Sequence, residues 1–229
     1  MLTFHFVTEF PEQLAQYLIK GIFERALKKG AFAINTVILR DFAKGKHKKI
    51  DDYPFSDKKG MLLRADVIDN ALQSIPNVLD KQLVVACPQG ESFSQSLSRQ
   101  WVDNKKDMVF ISGYYAGIDE RLYKQYSIQR VSIGNYILNS GDTAAIAMAE
   151  TMIRQLPSVL GNSECAKEDT YSTPFLQAPK YTKPLRFYNS VVPDILRSGN
   201  HDAVKMYNLK ESLEKTLFNR IELCKNIKL

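Results

Sequence analysis

Cysteine is scarce in this chain: Cys87, Cys165 and Cys224 stand far apart and in odd number. That excludes a disulfide framework and offers no zinc-ligand spacing, so reduced structural thiols are expected. Long apolar runs are also missing, and no stretch approaches the ~18 consecutive apolar residues of a membrane span. The opening residues Met1-Leu2-Thr3-Phe4-His5-Phe6-Val7 lack the charged start and apolar run of a secretion signal and read as a first strand. A cytoplasmic protein with no membrane partner is therefore expected. No repeat or low-complexity tract occurs. Neither a GxGxxG fingerprint nor a GKS/T motif is present, so sequence gives no support to a Rossmann dinucleotide site or a P-loop.

What is present is a hydrophobic share of 45% over 229 residues, enough to bury a core. Positive charge predominates, with a net +6. It is uneven: from Lys180 to Leu229, ten Lys or Arg face five Asp or Glu, a net of +5. A second basic run is Arg40, Lys44, Lys46, Lys48 and Lys49. Such surfaces attract polyanions, although ordinary solubility charge reads equally well from composition alone.

Apolar runs alternate with amphipathic stretches. Strands are predicted at Leu2–Thr8, Phe32–Leu39, Gln82–Cys87 and Met108–Ser112, with shorter ones near Gln129–Ile133 and Tyr136–Leu138. Helical patterns lie at Pro11–Lys28, Ala65–Ser74, Ser94–Asn104, Glu120–Lys124 and Asp142–Gln155. The alternation predicts an α/β domain over residues 1–160, a mostly parallel sheet with helices on both faces. Residues 161–184 are polar and carry Pro174, Pro179 and Pro184, as an interdomain linker would. Residues 185–229 read as a small basic helical domain, with helices at Ala203–Phe218 and near Arg220–Lys225 and Asp202 as a candidate cap.

Three glycine-bearing turns follow predicted strands: Cys87-Pro88-Gln89-Gly90, Gly113-Tyr114-Tyr115-Ala116-Gly117 and Ser132-Ile133-Gly134-Asn135-Tyr136-Ile137-Leu138-Asn139-Ser140-Gly141. Each alone is a plain strand-to-helix turn. Together they fit a ligand crevice at one edge of a parallel sheet.

These segments carry a resemblance. Gly113-x-Tyr115-x-Gly117-Ile118-Asp119-Glu120-Arg121, then Ser132-Ile133-Gly134-x-Tyr136-x-Leu138, is similar to the TrmD family of tRNA (guanine-N1)-methyltransferases. Other matches keep the same order: Phe10-Pro11-Glu12, Arg40-Asp41-Phe42, His47-Lys48-Lys49-Ile50-Asp51-Asp52, Gly60-Met61, Pro88-Gln89-Gly90, Arg154, Leu156-Pro157, Tyr181-Thr182-Lys183-Pro184 and Ser198-Gly199-Asn200-His201. They span nearly the whole chain.

The resemblance implies a SPOUT-type α/β fold with a C-terminal trefoil knot, plus the small helical domain. It implies a homodimer with active sites built from both chains, and S-adenosylmethionine as methyl donor, with Mg²⁺ as a further suggestion. The substrate would be tRNA, methylated at N1 of the guanine immediately 3′ of the anticodon. Carried over by position, Pro88, Gln89, Gly90, Gly113, Tyr115, Gly117, Ser132, Ile133, Gly134, Tyr136, Leu138, Ser140 and Gly141 would hold the donor. Asp169 would be the general base, and Arg154 would stabilise charge on the guanine oxygen. Arg40, His47, Lys48, Asp51, Lys183, Ser198, Asn200 and His201 would contact RNA.

The chain also departs from the family pattern. Ser56-Asp57-Lys58 replaces a triple glycine, Tyr114 an Arg, Ala116 a Glu, Asn135 an Asp, Ser140-Gly141-Asp142 a Gly-Gly-Glu and Ala144 a proline. These departures cluster at the donor pocket. They leave a second reading open, a catalytically weak or inactive paralogue that binds RNA or another ligand.

Overall fold

A computed structural model of the chain describes residues 1–18, 20–55, 60–160, 170–171 and 175–226. It divides into two compact units, Met1–Gly161 and Asn162–Leu229.

The first unit is built on five parallel strands: β1 (Leu2–Thr8), β2 (Phe32–Ile38), β5 (Gln82–Ser92), β6 (Met108–Ile111) and β7 (Ile128–Ser132), in the order β2-β1-β6-β5-β7. Period-two alternation sends neighbouring side chains to opposite faces. Phe4 and Phe6 enter one core, with Phe6 stacked on Phe110 at 5.4 Å between ring centroids. That core is completed by α1 (Pro11–Leu18), α2 (Ile22–Lys28), α4 (Gln95–Asp103) and α6 (Asp142–Ile153). Val7 and Val109 enter a second core on the other face, closed by α3 (Ala65–Gln73) and α5 (Arg121–Gln125). Both faces are thus covered, as parallel sheets require. A short antiparallel pair, β3 (Asp51–Asp52) and β4 (Leu62–Leu63), stands beside this sheet.

Three expectations need correction. The helix expected over Pro11–Lys28 is two helices, because Gly21 takes φ 65° and turns the chain between them. The strand expected to end at Cys87 resumes and runs to Ser92. Val131 pairs with both Ala86 and Glu91, so residues 87–90 bulge out of the ladder between two paired segments. Tyr136–Leu138 forms no strand: the Tyr136 amide donates to the Gly134 carbonyl at 3.0 Å and its hydroxyl donates to that of Ile133 at 3.1 Å, folding the segment into bends.

In the second unit, β8 (Arg186–Phe187) and β9 (Ser190–Val191) make a hairpin ahead of a long helix, α7 (His201–Asn219). The cap of α7 is Asn200 rather than Asp202: its Oδ1 accepts from the Ala203 amide at 3.1 Å. The extended segment before the hairpin lies along α7, where the Leu176 amide donates to Thr216 Oγ1 at 2.8 Å and Ser212 Oγ donates to the Leu176 carbonyl. The chain after α7 is a 3-10 helix over Ile221–Asn226. Among the described residues, no helix is long and apolar enough to cross a membrane.

Candidate functional site

In a parallel sheet every strand delivers its following loop to the same edge. Here the segments within β5, after β6 and after β7 converge on one cavity of about 470 Å³. Pro88 and Gln89 wall it from the bulge. Gly113, Tyr115 and Gly117 come from the loop after β6. Ser132, Ile133, Gly134, Tyr136, Leu138, Ser140 and Gly141 come from the bends after β7. Gly90 is the exception among the expected donor residues, for it does not line the cavity. It closes the bulge against β7, where an added Cβ would sit 2.3 Å from the Val131 nitrogen.

Two loops are locked together by backbone. The Gly141 amide donates to the Gly113 carbonyl at 2.7 Å, and Tyr114 bridges Ser140. A Cβ on Gly141 would meet the Gly113 nitrogen at 2.8 Å, so only glycine permits the crossing. The loop after β6 is also strapped to the segment before α3: the Ala116 amide donates to the Met61 carbonyl at 2.9 Å, and the Leu63 amide to that of Gly117 at 3.0 Å.

Beneath this crossing lies a buried polar knot of side chains. Asp142, at the first turn of α6, is fully buried and accepts from Tyr114 Oη at 2.5 Å and Thr8 Oγ1 at 2.8 Å. Tyr114 Oη in turn accepts from the Glu9 amide at 3.1 Å. Burial, then the Asp142 carboxylate, holds the Tyr114 hydroxyl well above its ordinary pKa, so it stays a neutral donor.

Sequence reasoning missed the outer wall. Arg130 lies over the Tyr123 ring at 3.7 Å and reaches both Glu120 oxygens at 2.6 and 2.7 Å, and all three residues line the cavity. An alternating Arg on an edge strand carries no signal of that role.

The basic residues Arg40, Lys44, Lys46, Lys48 and Lys49 are exposed, as is His47. Arg40 pairs with Glu9, and the pKa of Tyr115 is raised first by burial and then by the negative charge of Asp51. Asp51 does not itself line the cavity, but its charge is felt by Tyr115, which does. Lys183, Ser198, Asn200 and His201 are exposed on the second unit.

Of the two expected catalytic residues, only Arg154 is among the described residues, and it does not line the cavity. Arg154 follows the last residue of α6, whose first turn carries Asp142. Twelve residues of helix span about 18 Å, so Arg154 stands far from its own chain's cavity. Asp169 lies outside the described residues, as do Cys165 and Ser56-Asp57-Lys58. Among the described residues, no three His, Cys, Asp or Glu side chains are grouped to hold a metal ion.

Comparison with known proteins agrees with this arrangement. The family model described as "tRNA (Guanine-1)-methyltransferase TrmD" matches residues 2–226. Curated relatives named tRNA (guanine-N(1)-)-methyltransferase include one from Staphylococcus haemolyticus, 36% identical over 95% of this chain and 89% of its own. Another, from Listeria innocua, is 37% identical over 95% of this chain and 89% of its own. A third, from Bacillus pumilus, is 35% identical over 97% of this chain and 93% of its own. The chain belongs to the tRNA (guanine-N1)-methyltransferase family TrmD.

Proposed function

We propose that the protein methylates N1 of the guanine immediately 3′ of a tRNA anticodon, using S-adenosylmethionine. The observation that carries this reading is the convergence of three loops on one cavity, in a chain of this family. The cavity's size suits a nucleoside-sized ligand. Ile133, Ile137 and Leu138 offer an adenine ring apolar surface, and the loops around Gln89, Gly113 and Gly141 offer it backbone polar groups. When bound, S-adenosylmethionine supplies an electrophilic methyl group.

The chain's own residues must do the rest. Guanine N1 carries a proton and is a poor nucleophile until it is removed. In this reading Asp169 takes that proton and Arg154 stabilises the charge that moves onto the guanine oxygen. The separation of Arg154 from its own cavity supports a site shared between two chains, hence a homodimer. A trefoil knot, a linker at 161–184 and an RNA-binding domain at 185–229 belong to the same proposal, as does a cytoplasmic location. Arg40, His47, Lys48, Asp51, Lys183, Ser198, Asn200 and His201 would position the anticodon stem-loop.

The test is a calorimetric titration with S-adenosylmethionine, then incubation with an anticodon stem-loop carrying two guanines at the target. Saturable donor binding and N1-methylguanine by mass spectrometry are expected. RNA binding without donor binding or methyl transfer would overturn the reading in favour of an inactive paralogue.

A further inference from the structure

The hairpin of the second unit carries a feature that methyl transfer does not use. Its register pairs Arg186 with Val191 and Phe187 with Ser190, which leaves Tyr188 and Asn189 as a two-residue turn. Here the positive φ falls on the first of the two residues, a position that favours Gly or Asn. Tyr188 nevertheless sits at φ 51°, where a bulky side chain is rare. Its ring meets Phe187 edge to face, 4.6 Å between centroids. The two rings remain 84% and 65% exposed, so the strained turn serves no core of this unit.

The surroundings say what would cover them. From Phe175 to Pro193 the sequence has no acid, and it carries Lys180, Lys183 and Arg186 just ahead of the two aromatics. All three cations are exposed. Aromatic faces among cations match a single nucleic-acid strand, whose phosphates need positive charge and whose unstacked bases need a flat apolar partner. A paired helix hides its base faces and cannot use the rings. A second copy fits less well, because a two-fold interface would set the same cationic segment against itself.

We propose that Phe187 and Tyr188 form a stacking platform for an unpaired base of the RNA substrate, with Lys183 and Arg186 on the adjoining phosphates. This rests on the tRNA reading above. It adds a named contact to the second unit, at a place where the family resemblance had assigned only the residues flanking the hairpin.

The experiment uses the full chain and fluorescence anisotropy with a labelled anticodon stem-loop, beside the same stem closed as a blunt duplex. Tyr188→Ala should weaken stem-loop binding about tenfold, with duplex binding and the salt slope unchanged. Lys183→Ala should instead lower the salt slope by about one and weaken both RNAs. Tyr188→Trp should bind as the parent does. Tyr188→Asn separates folding from recognition: it suits the turn and should melt no lower than the parent, yet lose the same affinity. Stem-loop binding by Tyr188→Ala and Phe187→Ala equal to the parent's would overturn the platform and leave the tRNA reading standing. Conversion of a dimer to monomer by Tyr188→Ala, seen by light scattering, would overturn it as a subunit contact. Failure of the parent to bind either RNA would bring down the tRNA reading itself, and the platform with it.

Discussion

Tyr114 donates a 2.5 Å hydrogen bond to the fully buried carboxylate of Asp142. The family resemblance places an Arg and a Glu at these two positions. Two departures that look separate along the sequence are therefore one contact, made here by a phenol and an aspartate. The carboxylate keeps its place because Thr8 also donates to it and because it lies at the positive end of α6. Tyr114→Phe should destabilise the fold by about 2 kcal/mol, since it strips a donor from a buried charge. The double variant Tyr114→Phe/Asp142→Asn should lose less than the sum of the two singles. A double-mutant cycle by chemical denaturation measures this, and a coupling near zero would show that the contact carries no weight.

Gly141→Ala should abolish saturable donor binding and lower stability by about 1–3 kcal/mol, the usual cost of forcing a methyl into a packed place. The clash is with the Gly113 backbone, so no side chain can step aside. Calorimetry and thermal melting read the two effects. Parent-like donor affinity would mean that the crossing of these loops does not shape the pocket.

Ala116 is exposed on the cavity wall, in the place where the family pattern has Glu. Restoring the carboxylate there puts a negative charge beside a cationic donor. Ala116→Glu should tighten S-adenosylmethionine binding by about twofold to fivefold, within the ~1 kcal/mol of an exposed ion pair. An unchanged dissociation constant would remove this loop from the donor's charged end.

His5 supplies a pH dependence. Burial, then the positive charge of Lys81, lowers its pKa below 6.5, against a smaller opposing pull from Asp107. Asn35 Nδ2 lies 2.9 Å from Nδ1, and Nε2 has no hydrogen-bond partner among the described residues. The folded state thus holds the ring neutral, while the unfolded chain takes up a proton near pH 6.5. Its contribution is fully present above pH 6.5 and is lost as pH falls through the lowered folded value. His5→Phe should remove that part of the acid sensitivity and raise the melting temperature most at the acid end. Parallel melting-temperature curves for parent and variant would show that His5 titrates alike in both states.

The placement of Arg154 makes the shared site testable by mixing. Arg154→Ala and Cys87→Trp, the latter plugging the cavity wall, should each be inactive. Co-refolded together they should recover about a quarter of parental activity, because half the dimers are mixed and each mixed dimer has one intact site. No recovery would mean that Arg154 acts within its own chain or not at all.

The sheet, its helices and the three converging loops were legible because they follow from local rules: apolar periodicity, and glycine where strands turn. The break at Gly21 was not, since one glycine inside an amphipathic pattern can be tolerated or can end a helix. The return of β5 after its bulge depends on pairing with β7, a partner some forty residues away that no local pattern announces. The same holds for Tyr114 and Asp142: the sequence shows two unusual residues, and only the fold reveals that they touch. The need for glycine at position 90 was equally hidden, because it comes from the close approach of the β7 backbone.

Helix α6 has one end in the cavity and the other at Arg154, with a mostly buried body between them. It therefore acts as a ruler. In the proposed shared site its length would set how far the donor end of one chain stands from the arginine it offers its partner, and its pitch would set the arginine's bearing. Removing a single residue from its middle would shorten the reach by only about 1.5 Å but swing Arg154 by about 100°. The number of residues in α6 would therefore constrain such a site as firmly as their kind.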